Sequence, residues 1–167
     1  MPVAASAVVE LGFAAFLCGL RQDPIRGPRR AQLTKPAMYQ ATTRHITVRV
    51  TPSYLGDQSD PPGGQWVFAY RVEIENGSRE TVQLRARRWL ITDAQGRVEV
   101  VEGPGVVGEE PILEPGDSFT YTSGCPLATS SGIMRGHYRM QSMDGSLFEV
   151  EIPAFSLDAP ADRRILN

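Results

Sequence analysis

Cysteine and histidine are scarce in this 167-residue chain, and their scarcity limits its chemistry. There are two cysteines, Cys18 and Cys125, and two histidines, His45 and His137. Two scattered cysteines build no disulfide framework, which favours a reducing, cytoplasmic location. No zinc finger or HExxH site can be assembled from so few ligands. We therefore expect neither a metal site nor a cofactor built on these side chains.

An excess of positive charge is also missing. The formal net charge is −2 and the isoelectric point is near 5.7, whereas dedicated nucleic-acid-binding proteins are usually strongly basic. The residues after position 37 carry a net charge of −5, which repels phosphate backbones at long range. A nucleic-acid partner is therefore disfavoured.

The first 37 residues differ in character from the rest of the chain. Residues 3–20 are mostly apolar, but no Lys or Arg precedes them and Glu10 lies near their middle. Both features oppose a signal peptide or a membrane span, so we expect no membrane insertion. Residues 21–37 are basic and interrupted by prolines. One interpretation is an upstream stretch read from a start codon before Met38; the alternatives are a weak targeting segment and a disordered extension.

From residue 45 onward, apolar and polar residues alternate with a period of two, which is typical of half-buried β-strands. Turn-forming pairs such as Asn76-Gly77 and Asp144-Gly145 separate the segments. The pattern predicts an all-β fold of about seven to eight short strands, arranged as two antiparallel sheets packed face to face or as a small barrel. Trp89 breaks the alternation of its segment, which indicates a bulge or two-sided burial. The aromatic residues predicted to fill the interior are Trp66, Phe68, Tyr70, Phe119, Tyr138 and Phe148.

A glycine-rich loop fits the pattern G-x-G-x-x-G through Gly103, Gly105 and Gly108. Such glycines can let backbone N–H groups approach a phosphate or another small anion. The context opposes a dinucleotide site, since no helix follows and two carboxylates, Glu109 and Glu110, come next. The other interpretation is a strand-connecting loop whose glycines adopt positive φ. Both interpretations remain open from the sequence.

Two other groups of residues have the types needed for chemistry or binding. Cys125 could be a nucleophile with His137 as its base, but no neighbouring cation lowers the pKa of the thiol, and a structural strand end is the stronger interpretation. Arg85, Arg87 and Trp89 combine cations with an aromatic ring, which predicts a partner-binding surface. The alternative is a solvated strand with one buried tryptophan, whose arginines pair with acids such as Glu73, Glu75 and Glu80.

Several motifs together resemble the ApaG family: residues 103–111 (GPGVVGEEP), 113–116 (LEPG), 121–127 (YTSGCPL), 66–70 (WVFAY), 89–93 (WLITD) and 152–155 (IPAF). The resemblance runs from about Met38 to about Pro160. It implies an immunoglobulin- or fibronectin type III-like β-sandwich over residues 38–161, with an N-terminal extension (residues 1–37) and a short tail (residues 162–167). It also implies a bacterial cytoplasmic protein.

We expect a non-enzymatic binding module that recognises a protein or a small anionic ligand through a sandwich edge or a loop end, and that could form a homodimer. The resemblance adds a role in cobalt and magnesium efflux or resistance, which would be indirect because residues 38–161 contain no apolar run long enough to span a membrane. One alternative is a nucleotide- or pyrophosphate-binding protein or hydrolase that uses the glycine loop. Another is direct metal sequestration by Glu109, Glu110 and Asp117.

Overall fold

Residues 37–160 are described by a computed structural model; most of the expected N-terminal extension and the whole C-terminal tail lie outside them. Nine strands occur in this range, together with a 3-10 turn at Gly56–Gln58. The strands are β1 (Tyr39–Thr43), β2 (Ile46–Tyr54), β3 (Trp66–Asn76), β4 (Val82–Asp93), β5 (Val98–Pro104), β6 (Ile112–Leu113), β7 (Ser118–Leu127), β8 (Ser131–Ser142) and β9 (Leu147–Asp158).

The strands form two antiparallel sheets. The four-stranded sheet has the order β1-β2-β3-β7, and the five-stranded sheet has the order β5-β4-β8-β9 with β6 also paired to β4. This confirms the predicted all-β sandwich. The alternation missed β1 and β6, because β1 is a half-buried strand with few apolar residues and β6 is only two residues long.

The hydrophobic core lies between the two sheets, where each strand directs its apolar face. Of the six aromatic residues predicted to be inside, Phe68, Tyr70 and Tyr138 are fully buried, and the other three are partly buried at the margins. Phe155 and Tyr121 are also buried, although neither was among the six aromatic residues predicted to fill the interior.

The connection from β3 to β4 crosses from one sheet to the other instead of closing a tight hairpin. The tight turn predicted from the pair Asn76-Gly77 needs left-handed backbone, and that prediction is wrong, since neither residue has a positive φ. Asn76 is buried, and its side-chain N–H groups donate to the carbonyl oxygens of Glu80 (2.8 Å) and Leu113 (2.9 Å). The amide side chain therefore ties the crossover to β6.

A bulge in β4 decides which of its residues face the core. The register against β8 shifts between Leu84 and Ala86, so Arg85 is the extra residue. Leu84 before the bulge and Trp89 after it both point inward, although they are an odd number of positions apart. This confirms the bulge expected from the broken alternation and places it four residues before Trp89.

Candidate functional site

The glycine loop ends strand β5 and turns back on itself within four residues. Val106 and Glu109 exchange two backbone hydrogen bonds, at 2.8 and 2.9 Å. Between them, Val107 and Gly108 have φ values of 44° and 80°, as a mirror-image two-residue turn requires. The Val106 side chain is fully buried in the core. The loop is therefore a tight turn whose Val106 side chain packs into the core of the sandwich.

Three backbone N–H groups of this loop form hydrogen bonds inside the protein. Gly105 N–H donates to the carbonyl oxygen of Arg85 at 3.0 Å, and the N–H groups of Val106 and Glu109 are consumed by the turn. A phosphate cradle needs several such groups to be free and to converge on one cavity. Gly105 (φ 56°) and Gly108 have the positive φ that the structural interpretation expects, and the arrangement supports that interpretation over a pyrophosphate site.

Arg87 holds the loop from beneath. Its Nη1 donates to the carbonyl oxygens of Pro104 (2.9 Å) and Gly105 (2.8 Å). A Cβ at Gly103 would lie 3.2 Å from the same nitrogen, so a glycine gives the guanidinium room to lie against β5. Burial lowers the pKa of Arg87. The glycine loop and Arg87 were predicted as two separate candidate sites. In the structure they are in direct contact.

The predicted partner surface of Arg85, Arg87 and Trp89 does not exist as a single patch. Trp89 is only 1% exposed, because the bulge turns it into the core against Tyr70 and Phe155. Arg87 is half-buried under the loop, and of the three only Arg85 is exposed, with 44% of its side chain accessible.

Two of the acids expected to pair with these arginines, Glu73 and Glu75, pair elsewhere. Arg85 contacts Glu110 at 2.7 Å, and Arg88 contacts Glu102 at 3.0 Å. The predicted acids Glu73 and Glu75 both contact Arg49 of β2, which lies beside them in the other sheet.

Three buried tyrosines lie at the same end of the core as Arg87. The hydroxyl groups of Tyr121 and Tyr138 are 2.5 Å apart and join the two sheets. Burial raises the pKa values of Tyr70, Tyr121 and Tyr138 well above their ordinary value. These groups are therefore neutral hydrogen-bonding partners at physiological pH and do not act as bases.

Cys125 and His137 do not form a nucleophile–base pair. Cys125 is buried between the sheets, where burial raises the pKa of the thiol to about 12. His137 lies on the outer face of the five-stranded sheet, with its Nε2 3.3 Å from Glu149.

The acids proposed for direct metal binding do not converge either. Glu110 is paired with Arg85, and Asp117 accepts a hydrogen bond from Glu114 N–H within its own turn. Residues 37–160 contain no cluster of three His, Cys, Asp or Glu side chains that could hold a metal ion.

β5 lies at an edge of the five-stranded sheet, which the sequence did not predict. Backbone bonds from Gly105 N–H to Arg85 and from Asp93 N–H to Arg97 show that odd-numbered positions face β4. Because facing directions alternate along an antiparallel strand, Val98, Val100 and Glu102 direct their N–H and C=O groups away from β4. No second strand within residues 37–160 pairs with that side of β5.

Apolar surface and a groove lie next to this edge. Val98 and Val100 are 59% and 42% exposed. A groove of about 300 Å³ lies between the start of β5 and the end of β7, lined by Ile91, Val98, Glu99, Pro126 and Leu127 among others. The alternation of Val and Glu in β5 predicts a strand. Only the order of the strands in the sheet shows that β5 lies at an edge.

Comparison with known proteins gives the family. A family model described as the ApaG domain matches residues 56–142. Over 130 residues, 78% of this chain, the sequence is 65% identical to Protein ApaG from Brucella anthropi and 60% identical to Protein ApaG from Brucella canis, and both relatives are covered over their full length. The chain belongs to the ApaG family.

Solved structures agree with this ApaG assignment. A crystal structure from Bordetella pertussis, assigned as an ApaA protein, is 47% identical to this chain, with a TM-score of 0.68 over 75% of this chain and 99% of the other. A second X-ray structure is 38% identical, with a TM-score of 0.67 over 72% and 91% of the two chains. The ApaG resemblance drawn from the motifs is thereby confirmed.

Two further findings concern this ApaG-family chain alone. The glycine motif that carried much of the resemblance serves here as a turn held by Arg87. Among residues 37–160, no helix has the length and apolar character needed to cross a bilayer.

Proposed function

We propose that this ApaG-family protein is a non-enzymatic module that binds another protein, and that the β5 edge receives an extended segment of that partner. The observation that carries the proposal is the row of outward-facing backbone groups at Val98, Val100 and Glu102, beside exposed valine side chains. An extended peptide can add to such an edge through main-chain hydrogen bonds and gain specificity from adjacent pockets.

The apolar surface continues from the edge onto the sheet. Thr92 is opposite Val98 on one side and Ile133 on the other, so these three side chains form one row on the outer face. Ile133 is also exposed. Exposed apolar residues beside an unprotected strand edge are usually avoided, because they promote association. Their presence here favours a surface used for binding.

The groove and its charge indicate the kind of segment that would fit. Residues alternate in direction along a strand, so an added segment would place every second side chain toward the groove at Ile91 and Leu127. Glu99 borders the groove and forms no ion pair with any residue of 37–160. Residues 37–160 carry 16 acidic and 10 basic side chains. A segment that alternates apolar and basic residues would complement both the groove and the charge.

The absence of an assembled catalytic group supports the non-enzymatic part of the proposal. In the described residues, Cys125 is a buried thiol, His137 lies on the opposite side of the five-stranded sheet, and the glycine loop uses three of its N–H groups internally. A cytoplasmic location suits a chain whose Cys125 is a free thiol. A role in cobalt or magnesium resistance would then act through the bound partner.

A site-specific photocrosslinker tests the proposal. We expect a crosslinker at Val100 to give one discrete protein adduct in cells, and a crosslinker at Ser53, exposed on β2 of the other sheet, to give none. The absence of an adduct at Val100, or the same adduct from Ser53, would contradict the proposal.

A proline variant tests the main-chain pairing separately. Proline is tolerated at edge positions whose N–H faces outward, so Val100→Pro should keep the melting temperature within a few degrees. It should nevertheless abolish crosslinking from Val98, because one ladder hydrogen bond is lost. A Val100→Ala variant is the control that keeps the N–H group; undiminished crosslinking in Val100→Pro would exclude strand addition.

A further inference from the structure

The hairpin turn between β1 and β2 is occupied by two residues that rarely adopt its backbone conformation. Arg44 and His45 have φ values of 49° and 65°. A two-residue hairpin turn of this mirror-image type favours Asn-Gly, because both central positions need positive φ. Large side chains in this region are strained, and such strain persists where the surrounding structure or a function requires it.

Contacts on two sides hold this turn in place. Gly77 N–H donates to the carbonyl oxygen of His45 at 2.9 Å. The guanidinium carbon of Arg44 lies 5.0 Å from the centroid of the Phe148 ring, within the range of a cation–π contact. The turn therefore contacts both the segment that follows β3 and Phe148 of β9.

That segment, residues 77–80, is held by side-chain hydrogen bonds. Asn76 Oδ1 accepts hydrogen bonds from the N–H and the hydroxyl group of Ser78, at 3.0 and 2.7 Å. Glu80 N–H donates to Ser78 Oγ at 3.2 Å. Arg79 lies between them, and its N–H has no acceptor within residues 37–160, which leaves it available as a donor.

The turn and this segment together enclose a hollow of about 480 Å³, which we call the hairpin hollow. Its lining residues are Arg44, His45, Gly77, Ser78, Arg79 and Glu80. Two of the six are arginines, one is a histidine and one is an acid. Neither Arg44 nor Arg79 forms an ion pair with any residue of 37–160, whereas Arg49, Arg85, Arg88 and Arg97 do.

We propose that the hairpin hollow is a binding site for a phosphate group, either inorganic phosphate or a phosphate monoester. Guanidinium groups offer forked pairs of N–H donors that match phosphate oxygens, and two arginines are among the residues that line this hollow. The two arginines also place positive charge at one site of a protein whose described residues include more acidic than basic side chains. The strained turn positions Arg44 and His45 at the hollow, which a relaxed Asn-Gly turn would not do. This site is separate from the β5 edge and does not depend on the proposed protein partner.

A titration followed by NMR tests the site directly. Inorganic phosphate and methyl phosphate are added separately, with sodium chloride keeping the ionic strength constant. We expect saturable shifts of the amide signals of Arg44, His45 and Arg79, and no such shifts with chloride alone. Saturation by both probes indicates a site for phosphate monoesters, and saturation by inorganic phosphate alone indicates a site for the free ion. Shifts that do not saturate, or that chloride reproduces, would overturn the proposal.

Two variants and a matched control complete the test. Replacing Arg44 and His45 by Asn and Gly should raise the melting temperature, because the turn is relaxed, and weaken phosphate binding at least tenfold. Arg79→Gln should weaken binding without touching the turn. Arg139→Gln removes an equal charge from the outer face of β8, where Arg139 has no ion pair within residues 37–160, and should leave binding unchanged. Equal affinity in all three variants, or equal losses in all three, would contradict the assignment.

Discussion

The roles of several single residues depend on close contacts with the backbone of another segment. The residues next to them in the sequence do not reveal these contacts. Arg87 fits beneath the loop because Gly103 leaves space beside its guanidinium group. Gly105 is needed for a different reason, since its N–H bonds to Arg85 while its Cα faces the carbonyl of Glu109. The glycines that suggested an anion site are thus explained by packing and by turn geometry.

Gly105→Ala should destabilise the protein by about 1–3 kcal/mol. The new Cβ would lie 2.2 Å from the carbonyl oxygen of Glu109, and the φ of 56° is unfavourable for alanine. Urea unfolding measures the loss. Gly96→Ala is the control, because Gly96 has a φ of 80° but open space around its Cα. Losses of equal size in the two variants would show that backbone conformation alone, and not the contact with Glu109, is responsible.

At the scale of elements, β4 and β5 decide what this end of the sandwich displays. The bulge at Arg85 changes the facing of every later residue in β4 and so buries Trp89. β5 pairs with β4 on one side and with no strand of residues 37–160 on the other, so it is the outer strand of the sheet. Val98 and Val100 of β5 are exposed.

Deleting Arg85 should prevent cooperative folding. Without the extra residue, one outcome is that Ala86 and the residues after it keep their pairing with β8, which strains the connection to Leu84. The other outcome is that the facing of these residues is inverted, which turns Trp89 toward solvent. Thermal unfolding followed by near-ultraviolet circular dichroism measures the effect. Arg85→Ala keeps the bulge and should change the stability by less than about 0.5 kcal/mol, since the ion pair with Glu110 is exposed. A cooperative transition in the deletion variant would show that the bulge is dispensable.

At the scale of the whole molecule, the sandwich is held together by an aromatic core with buried hydroxyl groups. Tyr121 of the four-stranded sheet and Tyr138 of the five-stranded sheet share a hydrogen bond across the interior. Burial raises the pKa of both groups, because the phenolate form would be unsolvated there.

Stability should therefore fall as the pH rises above about 10, the ordinary pKa of tyrosine. Above that pH the unfolded chain releases protons that the folded protein keeps, so each buried tyrosine lowers the free energy of unfolding by about 1.4 kcal/mol per pH unit. Urea unfolding between pH 8 and pH 11 measures the slope. Tyr138→Phe should reduce the slope by the contribution of one tyrosine. An unchanged slope in that variant would mean that Tyr138 ionises equally in both states.

Much of the fold could be predicted from local alternation, and the misses have specific physical causes. Phe68, Tyr70 and Tyr138 were placed inside correctly, because a strand that buries one face must alternate. Trp89 was assigned to a surface, although the broken alternation indicated a bulge, because the sequence did not show that the extra residue is Arg85 and that Trp89 therefore points inward. Asn76-Gly77 has the composition of a tight turn, but the chain crosses between sheets there.

The candidate site was less predictable than the fold. The glycine loop and Arg87 were both singled out, but their contact depends on pairing between β4 and β5. Neither the β5 edge nor the hairpin hollow has a local signal, because an edge is defined by a missing neighbour and the hollow joins residues 44–45 with 77–80.

By itself, the order of residues determined that this chain forms strands, which side of most strands is buried, and which family it belongs to. These properties follow from a period of two and from motifs that lie within short stretches. Only the tertiary structure decided which strand lies at an edge, where the bulges invert a face and which distant cations share a hollow. Those features depend on contacts between segments far apart in the chain, and a local pattern carries no record of such contacts.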